Sequence, residues 1–170
     1  LAAINVALLL KIPTKEICAK LYTFKGVEHR IEYVANLNNV KYYNDSKATN
    51  IDSVVAAINS FESPITLILG GLDKGADFKA LRKIVKKKKI SIVAYGSAAE
   101  RISKTLRDAA NLYLTDKLKE AIEISNKVTH PGEIVLLSPG CASYDQFLNF
   151  EERGIFFKKT VKAFALAWYT

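Results

Sequence analysis

The sequence predicts an α/β fold, a doubly wound, mostly parallel sheet with helices on both faces. Three observations point to it. Short apolar runs alternate with helical patterns along most of the chain, the order that builds a parallel sheet from strand–helix–strand units. Two of the runs, residues 65–69 and 134–137, are apolar throughout but for Thr66, as strands covered on both faces are. The polar segments rich in hydroxyl, amine and carboxyl groups each follow a strand, and such sheets bind ligands at the carboxyl ends of their strands.

With 170 residues, nearly half of them hydrophobic, the chain is long enough for one domain with a sizeable core. The formal net charge of +8 favours an anionic partner without choosing among nucleotide, nucleic acid and membrane surface. Cys18 and Cys141 lie far apart and read as two small buried hydrophobes, with no disulfide framework or zinc site, so a reducing compartment is expected.

Residues 1–10 are apolar all round, like a buried helix, and too short to span a bilayer. Their abrupt start without Met reads as the cut end of a helix from a preceding domain, with a processed mature protein as the competing explanation. Pro13 and Thr14 open a second helix over 15–21, with Thr14 as its cap. Residues 22–30 have mixed polarity and read as a linker.

Residues 31–37 and 40–43 are strand-like, and Asn38-Asn39 between them suits a tight hairpin turn. Tyr43 to Asn50 turns the chain from strand to helix. The helix over 51–61 carries Val54, Val55 and Ile58 on one face. The strand at 65–69 ends in Gly70-Gly71, and its loop at 72–77 leads to Asp77 as the cap of a helix over 78–88. A strand at 90–95, a helix over 98–107, a short strand at 111–114 and a helix over 116–128 follow. Leu118, Ala121, Ile122 and Ile124 are the apolar set of the last of these. After the strand at 134–137 comes a polar loop, 138–149, and a final helix from Phe150 to about residue 168. The aromatic end, residues 164–170, reads as a cap on that helix.

Three loops gather on one rim in this arrangement. The first, Asn44-Asp45-Ser46-Lys47-Ala48-Thr49-Asn50, crowds an acid, an amine and hydroxyls beside a helix N-terminus. That suits an anion, although these residue types also cap helices with no ligand at all. The second, Gly70-Gly71-Leu72-Asp73-Lys74-Gly75, pairs tight-turn glycines with a lysine, and is either a ligand loop or a plain turn. It is neither a Walker A loop nor a dinucleotide fingerprint. The third, Ser138 to Phe147, is rich in hydroxyls but has no nucleophile elbow, so a catalytic serine is not expected. Cys141 reads as a structural thiol. Lys86-Lys87-Lys88-Lys89 reads as a solvated helix end rather than a nucleic-acid patch, because no aromatics interleave it.

Together these loops resemble one family. The first loop, the second extended through Ala76-Asp77-Phe78, and the long third run Leu137-Ser138-Pro139-Gly140-Cys141-Ala142-Ser143-Tyr144-Asp145-Gln146-Phe147-x-Asn149-Phe150-Glu151-x-Arg153-Gly154 resemble the carboxyl-terminal domain of the UDP-N-acetylmuramoyl-L-alanine:D-glutamate ligases. His29-Arg30 matches the linker motif of that family, and the likeness covers essentially the whole chain. The resemblance implies residues 1–24 as the end of a central ATPase domain, 25–30 as linker and 31–170 as the carboxyl-terminal domain. It also implies a cytoplasmic, monomeric ligase of peptidoglycan synthesis, and so of cell shape and division. Its substrates would be D-glutamate, ATP and UDP-N-acetylmuramoyl-L-alanine, with ATP and Mg2+ as cofactors. No nucleic acid and no membrane are expected as partners.

By the same resemblance Lys47, Thr49, Lys74, Ser143, Tyr144 and Phe150 surround D-glutamate, with Tyr144 where the family often has Leu. His29, Arg30 and Asp45 reach the ATP from the linker side. No metal ligand is expected in this chain, and none of its residues is expected to be catalytic by itself. The phosphate loop pattern Gly-x-x-x-x-Gly-Lys-Ser/Thr is absent from the 170 residues, so the chain alone is expected to lack ligase activity. Two other readings stand beside this one. One is a related amino-acid ligase such as the one that extends folates; the other is a non-catalytic nucleotide-binding or nucleic-acid-binding module.

Overall fold

The structure, a computed structural model, describes residues 2–24 and 26–167, with side chains to residue 164. Seven α-helices and six strands are found among the described residues. The strands are β1 (Glu32–Leu37), β2 (Val40–Asn44), β3 (Ile65–Gly70), β4 (Ser91–Tyr95), β5 (Leu112–Thr115) and β6 (Ile134–Gly140). They form one sheet in the order β1-β2-β6-β3-β4-β5. Only the β1–β2 hairpin is antiparallel. Its turn is Asn38-Asn39, both at positive φ (51° and 64°), as the sequence predicts for a primed hairpin turn.

The helices are α1 (Ala2–Leu9), α2 (Thr14–Thr23), α3 (Ile51–Asn59), α4 (Arg82–Lys88), α5 (Ala99–Leu106), α6 (Leu118–Val128) and α7 (Phe150–Ala167). Their placement follows from handedness. From β2 to β3, β4 and β5 the chain always steps toward the same edge, so right-handed crossovers put α3, α4 and α5 on one face. The return from β5 to the central β6 runs the other way, so α6 lies on the opposite face, and α7 packs beside it. Two cores result. Ile65, Leu67, Leu69, Ile92, Ala94, Ile134 and Leu136 face the first helical layer, while Ile68, Val93, Tyr95, Val135 and Leu137 face the second. This strict alternation is the period of the pleat.

Several expectations are corrected. The helix at the start is not buried: no residue of α1 or α2 is, and Leu9 is 81% exposed. An apolar helix is buried only where a partner covers it, and α1 packs on α2, itself uncovered. Cys18, on α2, is therefore exposed rather than a buried hydrophobe. Thr14 is the first residue of α2 and makes no side-chain cap. The expected helix over 78–88 is a 3-10 turn (Phe78–Leu81) capped by Asp77, followed by α4. On α3 the buried face is Ile51, Val54, Ala57 and Ile58, with Val55 only half-buried. β6 runs to Gly140 rather than ending at Leu137. Pro139 fits a central strand because its β2 neighbour has already turned away after Asn44 and the β3 register is irregular between Ile68 and Gly70. The lysine run is partly engaged: Lys88 Nζ donates to the carbonyls of Ile58 (3.1 Å) and Phe61 (2.6 Å), closing the end of α3. The end of the aromatic tail, residues 168–170, lies outside the described residues.

Candidate functional site at the carboxyl edge of the sheet

Each of the three loops leaves a strand that stands next to the others. β2 and β3 flank β6, so their carboxyl ends open onto the same rim. The loops are tied there by backbone bonds. Gly140 N donates to Ala48 O (2.8 Å), Leu72 N to Ala142 O (2.9 Å) and Ala142 N to Leu72 O (3.2 Å). Asn50 caps α3 by accepting from Ser53 N (2.9 Å), so the capping reading of the first loop holds.

A cleft of about 650 Å3 lies between the loops. Thr49, Lys74, Ser143, Tyr144 and Phe150 all line it, so five of the six residues expected around D-glutamate share one cavity. The sixth, Lys47, reaches it through Phe150, with Nζ 4.9 Å from the ring centroid. Lys74 has the same arrangement, its Nζ 5.1 Å from the ring of Tyr144. Two ammonium groups, each over an aromatic face, therefore border a cavity that also offers the hydroxyls of Thr49 and Ser143. The N-terminus of α3 opens into the same space through Asn50, Ile51 and Asp52, and its dipole favours an anion. Chemically, the site can hold a small molecule with two anionic ends. Cys141 lies in the wall, where burial pushes its thiol up to about 12, as suits a structural thiol.

His29, Arg30 and Asp45, at the start of the first loop and in the segment before β1, do not line the cleft. Asp45 is buried. Its oxygens accept from Ser138 Oγ (2.8 Å) and Ile31 N (3.3 Å). Burial raises its pKa; those two bonds and the charge of Arg30 oppose the rise without cancelling it. His29 is also buried, at φ 62°, with Nδ1 2.9 Å from Asn44 Nδ2. It lies so close to Gly154 of α7 that a Cβ there would sit 2.2 Å from Nδ1. Of the three, Arg30 alone is exposed.

Beside His29, Glu28 and Glu32 could offer carboxylate oxygens to a metal ion. Lys158 already occupies that position, with Nζ 2.5 Å from Glu28 and 3.0 Å from Glu32. Glu32 also accepts from His29 N and Asn44 Nδ2 (3.0 Å each). With its oxygens so engaged, this group does not fit an octahedral Mg2+, which demands free oxygen ligands.

The residue to which sequence reasoning gives no role, although it stands in the third run, is Arg153. It is fully buried and joins the loops from below. Nε donates to Ser46 Oγ (2.9 Å), one terminal nitrogen to Ser46 O (2.8 Å), and the other to Cys141 O (3.1 Å) and Tyr95 Oη (3.5 Å). Ser46 Oγ in turn donates to Phe150 O (2.8 Å). A signal was present: Arg153, Phe157 and Val161 fall four apart, so the arginine lies on the apolar stripe of α7. Asp145 is half-buried as a residue, yet both its carboxylate oxygens are buried and unpartnered among the described residues. It presses on Gly96, where a Cβ would lie 2.3 Å from Oδ2. Burial drives the neighbouring Tyr95 hydroxyl up to about 12, with Arg153 lowering and Asp145 raising it.

Comparison with known proteins bears on the family and the fold. A family model described as Mur ligase, glutamate ligase domain, matches residues 29–141. The UDP-N-acetylmuramoylalanine–D-glutamate ligase of Caldanaerobacter subterraneus subsp. tengcongensis is 47% identical over 165 residues, which are 95% of this chain and 37% of that protein. The enzyme of the same name from Geotalea uraniireducens is 40% identical over 163 residues, 96% of this chain and 36% of that one. The chain thus spans little more than a third of the length of these curated relatives. Among solved structures, the UDP-N-acetylmuramate-alanine ligase of Thermotoga maritima superposes with a TM-score of 0.65 at 13% identity, covering 98% of this chain and 36% of that one. The MurF ligase of Thermotoga maritima, solved with ADP, gives 0.56 at 13% identity, covering 83% and 33%. At that identity the two superpositions speak for the α/β fold alone.

Proposed function

The chain belongs to the Mur ligase family through its glutamate ligase domain, and from that premise we propose that it holds D-glutamate for an ATP-dependent ligase that adds this amino acid to UDP-N-acetylmuramoyl-L-alanine. The observation that carries the reading is the cleft bordered by two lysines and two hydroxyls where three strand-end loops meet. D-glutamate has two carboxylates, and Lys47 and Lys74 supply one cation for each. Thr49 and Ser143 add hydrogen bonds. Phe150 and Tyr144 narrow the freedom of the lysines and cover the carbon chain.

When bound, ATP supplies the phosphoryl group that turns the acceptor carboxylate into an acyl phosphate. The share of this chain is to fix the amino acid so that its amine attacks the acyl carbon. An amide bond forms, phosphate departs and the amine gives up a proton. Fixed cations around the dicarboxylate orient that attack without reorganisation. Arg30, exposed beside Asp45, is placed to meet the nucleotide from the linker side. No Mg2+ ligand is assigned, since the acids near His29 are already engaged.

Residues 1–24 belong, in this reading, to a central domain, with 25–30 as linker. The uncovered apolar side chains of α1 and α2 support it. No described helix is long and apolar enough to cross a membrane. A cytoplasmic monomer of cell-wall synthesis is proposed.

Calorimetric titration tests the assignment. D-glutamate is expected to bind more tightly than L-glutamate or L-alanine, with saturation in the millimolar range or below. Equal weak heats for all three amino acids would contradict it.

A further inference from the structure

We propose that Arg101 of α5 is a positioning residue that sets where the ammonium of Lys74 stands in the cleft. This rests on the assignment of the cleft to D-glutamate. Lys74 sits in a loop with little else to hold it: Lys74, Gly75 and Asp77 are exposed, and Gly75 is at φ 87°. The loop is folded around Asp73, whose Oδ1 accepts from Gly75 N (2.8 Å) and Ala76 N (3.0 Å). Such a turn fixes its own backbone, and the bonds between Leu72 and Ala142 hold only its start, so residues 73–76 still need an anchor to the body of the domain.

Arg101 removes that freedom. One guanidinium nitrogen donates to Asp73 Oδ1 (2.8 Å) and to Ala76 O (2.5 Å), and Nε pairs with Asp73 Oδ2. The guanidinium also lies over the ring of Phe78, 4.8 Å from its centroid. The grip thus reaches both ends of the turn and the first residue of the following 3-10 helix. An exposed ion pair by itself contributes little. A planar fork that takes both carboxylate oxygens, a carbonyl and an aromatic face fixes direction, which a single pair does not. Burial pushes the Asp73 carboxyl up. The bonds from Ala76, Gly75 and Arg101 outweigh it and hold the group below its ordinary range, so it stays ionised as a fixed anchor. Arg101 itself does not line the cleft.

The test combines amide hydrogen exchange with D-glutamate titration on wild type, Arg101→Ala, Arg101→Lys, Lys74→Ala and the Arg101→Ala/Lys74→Ala double variant. Arg101→Ala is expected to raise the dissociation constant about tenfold, as for groups that orient metal ligands. Protection at Gly75 and Ala76 is expected to fall, and Arg101→Lys to rescue only part of either effect, because an ammonium has no fork. In the Lys74→Ala background the loss of Arg101 should cost nothing further. Unchanged protection, or additive effects of the two substitutions, overturns the proposal. If wild type fails to bind D-glutamate, the ligand assignment falls, and the exchange at Gly75 and Ala76 alone decides whether Arg101 anchors the loop.

Discussion

Single residues in this molecule divide between those that face the cleft and those that hold them. Arg153 is the clearest of the second kind. It is a fully buried cation with no carboxylate within salt-bridge distance among the described residues, so its charge is met by two carbonyls and two hydroxyls. Arg153→Met would leave Ser46 O and Cys141 O without donors and Asp145 without a nearby buried cation. We expect a loss of about 3 kcal/mol in urea unfolding. A loss near zero would mean that the loops hold themselves together. Asp45 gives a prediction of opposite sign. Its folded pKa is raised above the ordinary 3.8. Below that value it is protonated in both states and contributes nothing. As the pH climbs through the raised folded value, the cost of its buried charge appears in full. Asp45→Asn should therefore gain stability relative to wild type as the pH rises from below about 4 toward neutrality, as read from paired unfolding curves. A constant difference across that range would refute the sign.

At the scale of elements, the strand ends are where local geometry is least forgiving. Gly70 closes β3 at φ 138°, and a Cβ there would lie 2.0 Å from Tyr95 O and 2.9 Å from Tyr95 N. Both are backbone atoms of β4, so no side-chain rotation relieves the clash. Gly70→Ala should cost about 3 kcal/mol or more and spread the β3–β4 ends, read as a fall in melting temperature and as loss of the cleft's ligand affinity. Gly71 is similarly closed in by Ala142 O at 2.5 Å. Most elements were legible in the sequence because periodicity and turn chemistry agree: Asn38-Asn39 for the hairpin, Asn50 and Asp77 for the caps, continuous apolar runs for β3 and β6. What escaped is what depends on neighbours. Pro139 reads as a strand breaker unless one knows that β2 has already left the sheet beside it. The exposure of α1 was invisible because composition reports what a helix could bury, not what is there to cover it.

Across the whole molecule, topology does the work of assembly. The central β6 is flanked by β2 and β3, so three segments distant in sequence deliver Lys47, Lys74 and Ser143 to one rim. The sequence pointed to the three loops separately, and the expectation that a parallel sheet gathers them agrees with the observed cleft. The layer beneath was not legible. Arg101 is a helix residue far from its loop, and the acids around His29 are met by a lysine of the last helix. Such pairings are set by packing across the sheet edge, which no local pattern encodes. His29 and Asp45 carry chemistry in the sequence but lie within buried hydrogen-bond networks, and of the linker-side trio Arg30 alone stands exposed.

The central claim is that a dicarboxylate sits between the loops after β2, β3 and β6. Backbone chemical-shift mapping with D-glutamate addresses it most directly. The account predicts saturable shifts at Lys47, Thr49, Lys74, Ser143 and Tyr144. Each should weaken about tenfold in affinity with Lys47→Ala or Lys74→Ala, the loss expected when one charge-assisted bond is removed. Shifts confined to the lysine run at 86–89, or no shift at millimolar ligand, would contradict it.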